Sequence, residues 1–435
     1  MKTAIAAALM VPALSVPQPA AGNGPAGGPL HDRIDRAASE VMSKVIGWRR
    51  DLHRHPELGN REVRTAGIVA EHLRQLGLEV RTGIARTGVV GVLRGGKPGK
   101  VVALRADMDA LPVTEETGLP FASTERAEYD GREVGVMHAC GHDAHTSMLM
   151  GAAEVLAGLR DELPGTVVFI FQPAEEGAPS GEDGGAAVMI AEGVLDDPKV
   201  DAIFGLHVFP FEAGAIQVRP GGFMAGGDTL DIRVKGRQTH GALPWQGVDP
   251  IVVASQVVLG LQTIISRQSD LTSAPAVITL GIFQAGNRSN IIPDEARLVG
   301  TIRTFDQEMR REIHERVKRT ASGIAEAAGT TAEVTIMPGN PITYNDPTLT
   351  AQIAPSLARV TTSFLPSPPV TTTSEDFSEY QQRVHGVFFF LGVAPKGLEP
   401  AKVEPNHSPR FMVEEGALAT GVRALASVAA DYLHQ

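Results

Sequence analysis

His138-Ala139-Cys140-Gly141-His142-Asp143-Ala144-His145 gathers three histidines, an aspartate and the only cysteine of the 435-residue chain into eight positions. A lone cysteine closes no intramolecular disulfide. A free thiol is most often a small buried hydrophobe, but packing alone does not call for so many imidazoles beside it. The pattern is that of a thiolate able to ligate a metal. Downstream stand Glu175-Glu176, then His207 in Gly-Leu-His-Val, then His407 in Pro-Asn-His-Ser-Pro. Donors spread along a chain in this way suit an enzyme metal site, whereas structural zinc modules cluster their Cys and His pairs. The implied chemistry is metal-dependent hydrolysis.

The motif is predicted to open a helix running through Arg160. Strand-like runs precede it at Leu78–Thr82, Val89–Leu93 and Val101–Leu104, and follow it at Val167–Phe171 and Ala202–Val208. Strands alternating with helices predict an α/β sheet covered on both faces. In such sheets functional groups gather where strands end. Asp107 and Asp109 follow one predicted strand and are placed to orient a metal-bound histidine; an ordinary turn is the plain alternative. Glu175 and Glu176 follow another. Adjacent carboxylates there are costly unless they bind cations or differ in protonation, so one can ligate while the other handles protons. An isolated Glu-Glu would otherwise be a solvated loop, and His207 or His407 taken alone would say little.

The length predicts two domains. Near Gly221-Gly222 the character changes: an alternating strand Leu230–Val234, a helix over about Pro250–Arg267, strands Ala276–Phe283 and Ala296–Arg303, a helix through Ala328, and a strand Ala332–Met337. This pattern predicts a small α+β layer. The chain then returns to the first domain with the strand Val387–Leu391 and the helix Glu414–Leu433. Hydrophobic residues at 43% and charged residues at 20% describe a soluble globular protein, and a net charge of -11 argues against a nucleic-acid-binding surface. Lys2, the apolar run Thr3–Leu14 and Pro19-Ala20-Ala21-Gly22 have the composition of a secretory signal. The apolar run is too short for stable membrane insertion. Export to the periplasm or medium is the expectation, with a signal peptide over 1–21 and a linker over 22–30.

The motifs together resemble the metal-dependent amidohydrolases related to hippurate hydrolase, aminoacylase and plant auxin-conjugate (IAA-amino acid) hydrolases. These are cousins of the dinuclear zinc carboxypeptidases that include carboxypeptidase G. The likeness spans about residues 40 to 430. It includes Trp48–Glu57, Arg105–Pro112, the Cys/His motif, Gln172–Gly177, Gly205–Val208, His240–Pro244, Asn290–Pro293 and Gly300–Arg303. The resemblance implies a zinc-peptidase-like catalytic domain (31–221 and 338–435) interrupted by an α+β, ferredoxin-like lid and dimerisation domain (222–337). It implies two divalent metal ions, Zn²⁺ or Mn²⁺, on Cys140, His142, Glu176, His207 and His407. Glu175 becomes the general base, with Asp109 and His240 in the catalytic machinery. Asn290, Arg303 and His145 become substrate contacts, and two subunits pair as a homodimer. The implied substrate is an N-acyl amino acid. A dipeptidase or carboxypeptidase of the same fold is the alternative, and a non-catalytic metal-binding protein is another. Within the group, Gly59-Asn60-Arg61 replaces more usual apolar or acidic residues, and Ala178–Gly185 is longer and less glycine-rich than usual.

Overall fold

The computed structural model describes residues 28–398 and 402–435. The expected signal segment lies outside them. The expected linker 22–30 overlaps the first helix, which begins at Pro29. Proline suits a first helical position, because its missing N–H would have no intrahelical partner there.

The fold is mixed α/β. Its main sheet has eight strands. At the centre, Pro164–Gln172, Lys97–Asp107, Ala202–Phe209 and His385–Gly392 lie side by side and parallel. Glu79–Ile84 and Gly88–Arg94 extend one side antiparallel. The central strands are near-continuous apolar runs because both faces are covered. On one face pack the helices Pro29–Arg54, His142–Ala157, Pro347–Val360 and Leu418–Leu433, with Phe169, Phe204, Met148 and Leu425 in the shared core. On the other lie the short helices Gly185–Ala191 and Phe377–Gln381, with Ile170, Phe388 and Met189.

A second, four-stranded antiparallel sheet is ordered Ala276–Ala285, Glu295–Thr304, Gly226–Lys235, Ala332–Pro338. With the helices Pro250–Thr263 and Gln307–Ala327 it forms the strand-helix-strand-strand-helix-strand order of a ferredoxin-like layer. It has its own core around Leu230, Val257, Leu298 and Ile313. The stretch Pro250–Gln268 is long and apolar enough by composition to cross a membrane. Its Val253, Val257, Leu261 and Ile264 are nevertheless buried in that core.

The chain enters and leaves this layer through paired strands: Gly221–Met224 lies antiparallel to Thr343–Asn345. Phe223 and Met224 still pack with the first body. The expected junction at 221/222 therefore falls a few residues early, because the glycines mark the ribbon rather than its end.

Candidate metal centre and active site

The carboxyl ends of the central strands bring the chemistry together. Asp107 closes its strand and Asp109 follows two residues on. Glu175-Glu176 follow the strand ending at Gln172. His207 stands near the end of Ala202–Phe209. Cys140 lies in the loop before the helix that begins at His142. Gly141, at φ +93°, is needed there, since a Cβ would stand 2.3 Å from Val208 Cγ2. Only glycine lets the helix start close against the strand. Below it, Asp143 accepts from His53 Nδ1 at 2.8 Å and pairs with Arg49 Nε at 2.9 Å, which anchors the helix start to the Trp48–Glu57 motif.

Cys140 Sγ is 3.3 Å from both His207 Nε2 and His407 Nε2. Glu176 Oε1 is 2.9 Å from His407 Nε2. Two donor groups share the thiol: Cys140, His142 and His207 form one, and Cys140, Glu176 and His407 the other, with ligand atoms in each within 4.8 Å. Sulfur is thus placed to serve two cations. Asn406, unremarked in the sequence beyond its neighbour His407, donates through Nδ2 to the carbonyls of Cys140 and Val208, both at 3.1 Å. It staples the His407 loop to the site.

The imidazoles are oriented for ligation. His142 Nδ1 faces Asp109 Oδ1 at 3.2 Å and carries the proton there. Its Nε2 is buried and has no hydrogen-bond partner among the described residues. His207 Nδ1 donates to the Val208 carbonyl at 2.8 Å, which leaves the Nε2 lone pair toward Cys140. A second partner that fixes the tautomer in this way is the usual support of a metal-bound histidine. A mixed sulfur, nitrogen and oxygen donor set fits a divalent transition metal.

The electrostatics also ask for cations. Burial and the neighbouring charges of Glu176 and Glu175 push the Cys140 thiol well above its ordinary range. Burial, with Glu375, Glu176 and Asp376 close by, pushes Glu175 well above the carboxylate range. Burial opposes a charge on His142, but Asp107 and Asp109 outweigh it and raise its pKa to about 10. The thiol and the Glu175 carboxyl hold protons that positive ions would displace, whereas Glu176, though buried, is kept below the ordinary carboxylate range by its bond to His407.

Beneath lies a buried network. Arg105 donates to Asp107 Oδ2 at 2.7 Å, to Asp376 Oδ1 at 2.9 Å and to Gln172 Oε1 at 2.9 Å, and pairs with Glu375 at 3.0 Å. Glu175, Glu375 and Asp376 bring carboxylate oxygens within 4.8 Å of one another.

A cavity of about 260 Å³ opens over the cluster, lined by Cys140, Glu175, Glu176, His207, His407 and Arg303, with Thr373 and Ser374 among its walls. A larger open hollow of about 840 Å³, lined by Arg33, Glu40, Lys44 and Glu154, holds none of these donors. His145 does not reach the cavity, contrary to the expectation of a substrate contact. It is 1% exposed, its Nδ1 donates to Asp107 Oδ1 at 2.6 Å, and its Nε2 accepts from Val208 N at 2.8 Å. Both nitrogens are spent on supporting the site. Asp109 is likewise 1% exposed, and its carboxylate accepts from His142 and from the backbone N–H groups of Glu175 and Glu176, both at 3.0 Å. It positions these groups rather than meeting substrate. His240 and Asn290 sit together, Gly241 N donating to the Asn290 carbonyl at 2.8 Å, but both are exposed and neither lines the cavity.

With this geometry in place, comparison with known proteins is decisive. The model of peptidase family M20/M25/M40 matches residues 103–431. The chain belongs to this family. The M20/M25/M40 member is 39% identical over 406 residues to thermostable carboxypeptidase 1 of Saccharolobus solfataricus, covering 93% of this chain and 99% of that one. It is 43% identical over 303 residues to the N-acyl-L-amino acid amidohydrolase of Geobacillus stearothermophilus, covering 69% and 78%. Among solved structures, Bacillus subtilis YXEP, described as a dinuclear metal binding peptidase, aligns with a TM-score of 0.76 at 36% identity, covering 91% and 99%. As an M20/M25/M40 member with this donor set, the chain is a metallohydrolase.

Proposed function

We propose that the enzyme is an amidohydrolase cleaving N-acyl amino acids, hippurate-like or N-acetyl, with two divalent ions, Zn²⁺ or Mn²⁺, in each subunit. The carrying observation is the thiol of Cys140 shared between the His142–His207 and Glu176–His407 groups. These residues would hold the ions, which supply Lewis-acid activation of water and of the scissile carbonyl. Glu175 does not belong to the thiol-centred groups and stands beside them at the cavity. Its carboxylate takes the proton of the attacking water and passes it to the leaving nitrogen. Burial strengthens the bond it makes with that water. Arg303 offers a planar donor fork to the free carboxylate of the substrate. Beside it, Ser374 Oγ is buried and has no hydrogen-bond partner among the described residues.

The proposal extends to a homodimer. The edge strand Ala276–Ala285 exposes Val277, Ile282 and Phe283, and the helix Pro250–Thr263 exposes Val252 and Leu259. An open apolar edge of this kind is suited to pairing with a second copy. Pairing would carry His240 to the partner's site, where its imidazole helps to stabilise the oxyanion and Asn290 assists substrate binding. His240 Nδ1 accepts from Ala242 N at 3.0 Å, which leaves Nε2 as the outward donor.

The test is metal analysis of purified protein and turnover of N-acetyl, N-benzoyl and longer N-acyl amino acids beside dipeptides. Glu175→Gln should keep the metals and lose turnover, while Glu176→Gln should lose metal. Equal metal loss in both variants, or faster cleavage of dipeptides than of every N-acyl amino acid, overturns the assignment. Export is part of the same reading, and an intact mass beginning near Ala21 or Gly22 in protein from the periplasm or medium would support it. An uncleaved chain confined to the cytosol would not.

A further inference from the structure

Two peculiarities of the sequence, Gly59-Asn60-Arg61 and the segment Ala178–Gly185, meet in space. A Cβ on Gly59 would stand 2.7 Å from the Gly177 carbonyl oxygen and 3.2 Å from Ala174 Cα, so the two backbones touch. Asn60 donates through Nδ2 to Glu182 Oε2 and to the Asp183 carbonyl, both at 3.1 Å. Arg61 grips the same Glu182 at 3.1 and 2.7 Å. The next residue, Glu62, is 0% exposed. Its Oε1 accepts from the backbone N–H of Ala174 at 2.9 Å, and its Oε2 accepts from Thr87 Oγ1 at 2.6 Å. One short strap therefore holds both ends of the loop that carries the paired glutamates.

Ala174 immediately precedes Glu175 and sits at φ +52°. A residue with a Cβ keeps that left-handed conformation only where its surroundings enforce it. Asp109 holds the next two N–H groups. Glu62 holds the one at the strained residue itself, where a rotation of the peptide would swing the Glu175 side chain out of line.

We propose that Glu62 is a positioning residue for catalysis: by fixing Ala174 it aims the Glu175 carboxylate at the reacting water. The inference rests on Glu175 being the general base. Glutamine at position 62 can still accept from Ala174 N–H and can donate to Thr87, so Glu62→Gln should keep at least about half of kcat. Glu62→Ala loses the acceptor. Its kcat should fall about ten- to a hundredfold, the range expected when a reacting group is displaced by roughly an ångström, with KM within about threefold and metal content per subunit unchanged. Thr87→Val leaves Glu62 in place but frees one oxygen; it should lower kcat a few-fold with the same unchanged KM and metal content, and it decides the matter if Glu62→Ala yields no folded protein. Full kcat in the variant that decides, a loss of metal in proportion to activity, or a Glu62→Gln as impaired as Glu62→Ala would each overturn the proposal. Glu175→Gln run alongside separates the two readings. If it remains active, the base assignment fails, and a kcat loss in Glu62→Ala then belongs to another residue of the loop.

Discussion

Asp109 offers the sharpest test of how the site is held. Its carboxylate is the common acceptor of three donors: His142 Nδ1 and the backbone N–H groups of Glu175 and Glu176. Asp109→Asn keeps the size but turns one acceptor into a donor. With Oδ1 still serving His142 and Glu175, the amide NH₂ points at the N–H of Glu176. A buried donor left facing another costs about 1–3 kcal/mol. Asp109→Ala strands all three, for up to about 3–9 kcal/mol before water or relaxation recovers part of it. Only part of this reaches the metal. Losing the group that orients a ligating histidine typically weakens metal affinity by about 10–100-fold. Titration of metal-free protein with Zn²⁺ against a competing chelator should show that weakening in Asp109→Asn and a larger one in Asp109→Ala. Urea unfolding of the metal-free forms should rank wild type above Asn above Ala. An Asp109→Asn variant with unchanged Zn²⁺ affinity and unchanged unfolding free energy would refute the reasoning, because the three bonds would then hold nothing.

Other expectations follow from the same geometry. Cys140→Ser should lower metal stoichiometry while leaving far-UV circular dichroism unchanged, since the helices and central strands pack around other residues; full occupancy and turnover would remove the shared-thiol assignment. Arg303→Ala should chiefly raise KM for substrates bearing a free carboxylate, and an equal effect on their amides would show that it does something else. Mixing inactive His240→Ala with inactive Glu175→Gln subunits should restore part of the activity, and no rescue after demonstrated subunit exchange would rule out a shared site. In the second layer, Asp228 is buried, yet bonds from His314 and Arg310 outweigh the burial and hold its pKa at about 2. Depression from an unfolded value of about 3.9 corresponds to about 2–3 kcal/mol, present in full above about pH 4 and lost as the pH falls through about 2. The stability gap between wild type and Asp228→Asn should therefore close on acidification, and a gap independent of pH would show that charge is not its source.

Much of this was legible because it is local. Apolar runs and periodicity placed the strand expected at Val167–Phe171, found at Pro164–Gln172, and that expected at Ala202–Val208, found at Ala202–Phe209. The helix Pro347–Val360 escaped notice because Pro355 interrupts its pattern, although the tertiary core holds Leu349, Ile353 and Leu357 in place. The hairpin Arg126–Tyr129 with Arg132–Gly135 is too short and polar to announce itself. At the site, residue types were legible and orientation was not. His145 shares a helix face with His142, but the Val208 N–H that occupies its second nitrogen comes from a strand 63 residues away. The partners Arg105 and Asp376 are 271 residues apart, a separation over which no spacing rule operates.

The ribbon formed by Gly221–Met224 and Thr343–Asn345 has a consequence for how such a chain can be assembled. The strands Ala202–Phe209 and His385–Gly392, which flank the whole excursion, are themselves hydrogen-bonded neighbours in the main sheet. That sheet thus closes its ladder across the gap and, among the described residues, takes only the short strands Ile216–Gln217 and Phe364–Leu365 from between them and none from the four-stranded layer. The excursion begins and ends at adjacent points, like a cassette fitted at a single port. Its two ends are register partners, Met224 with Thr343, so a tight turn joining them should leave the register of the main sheet intact.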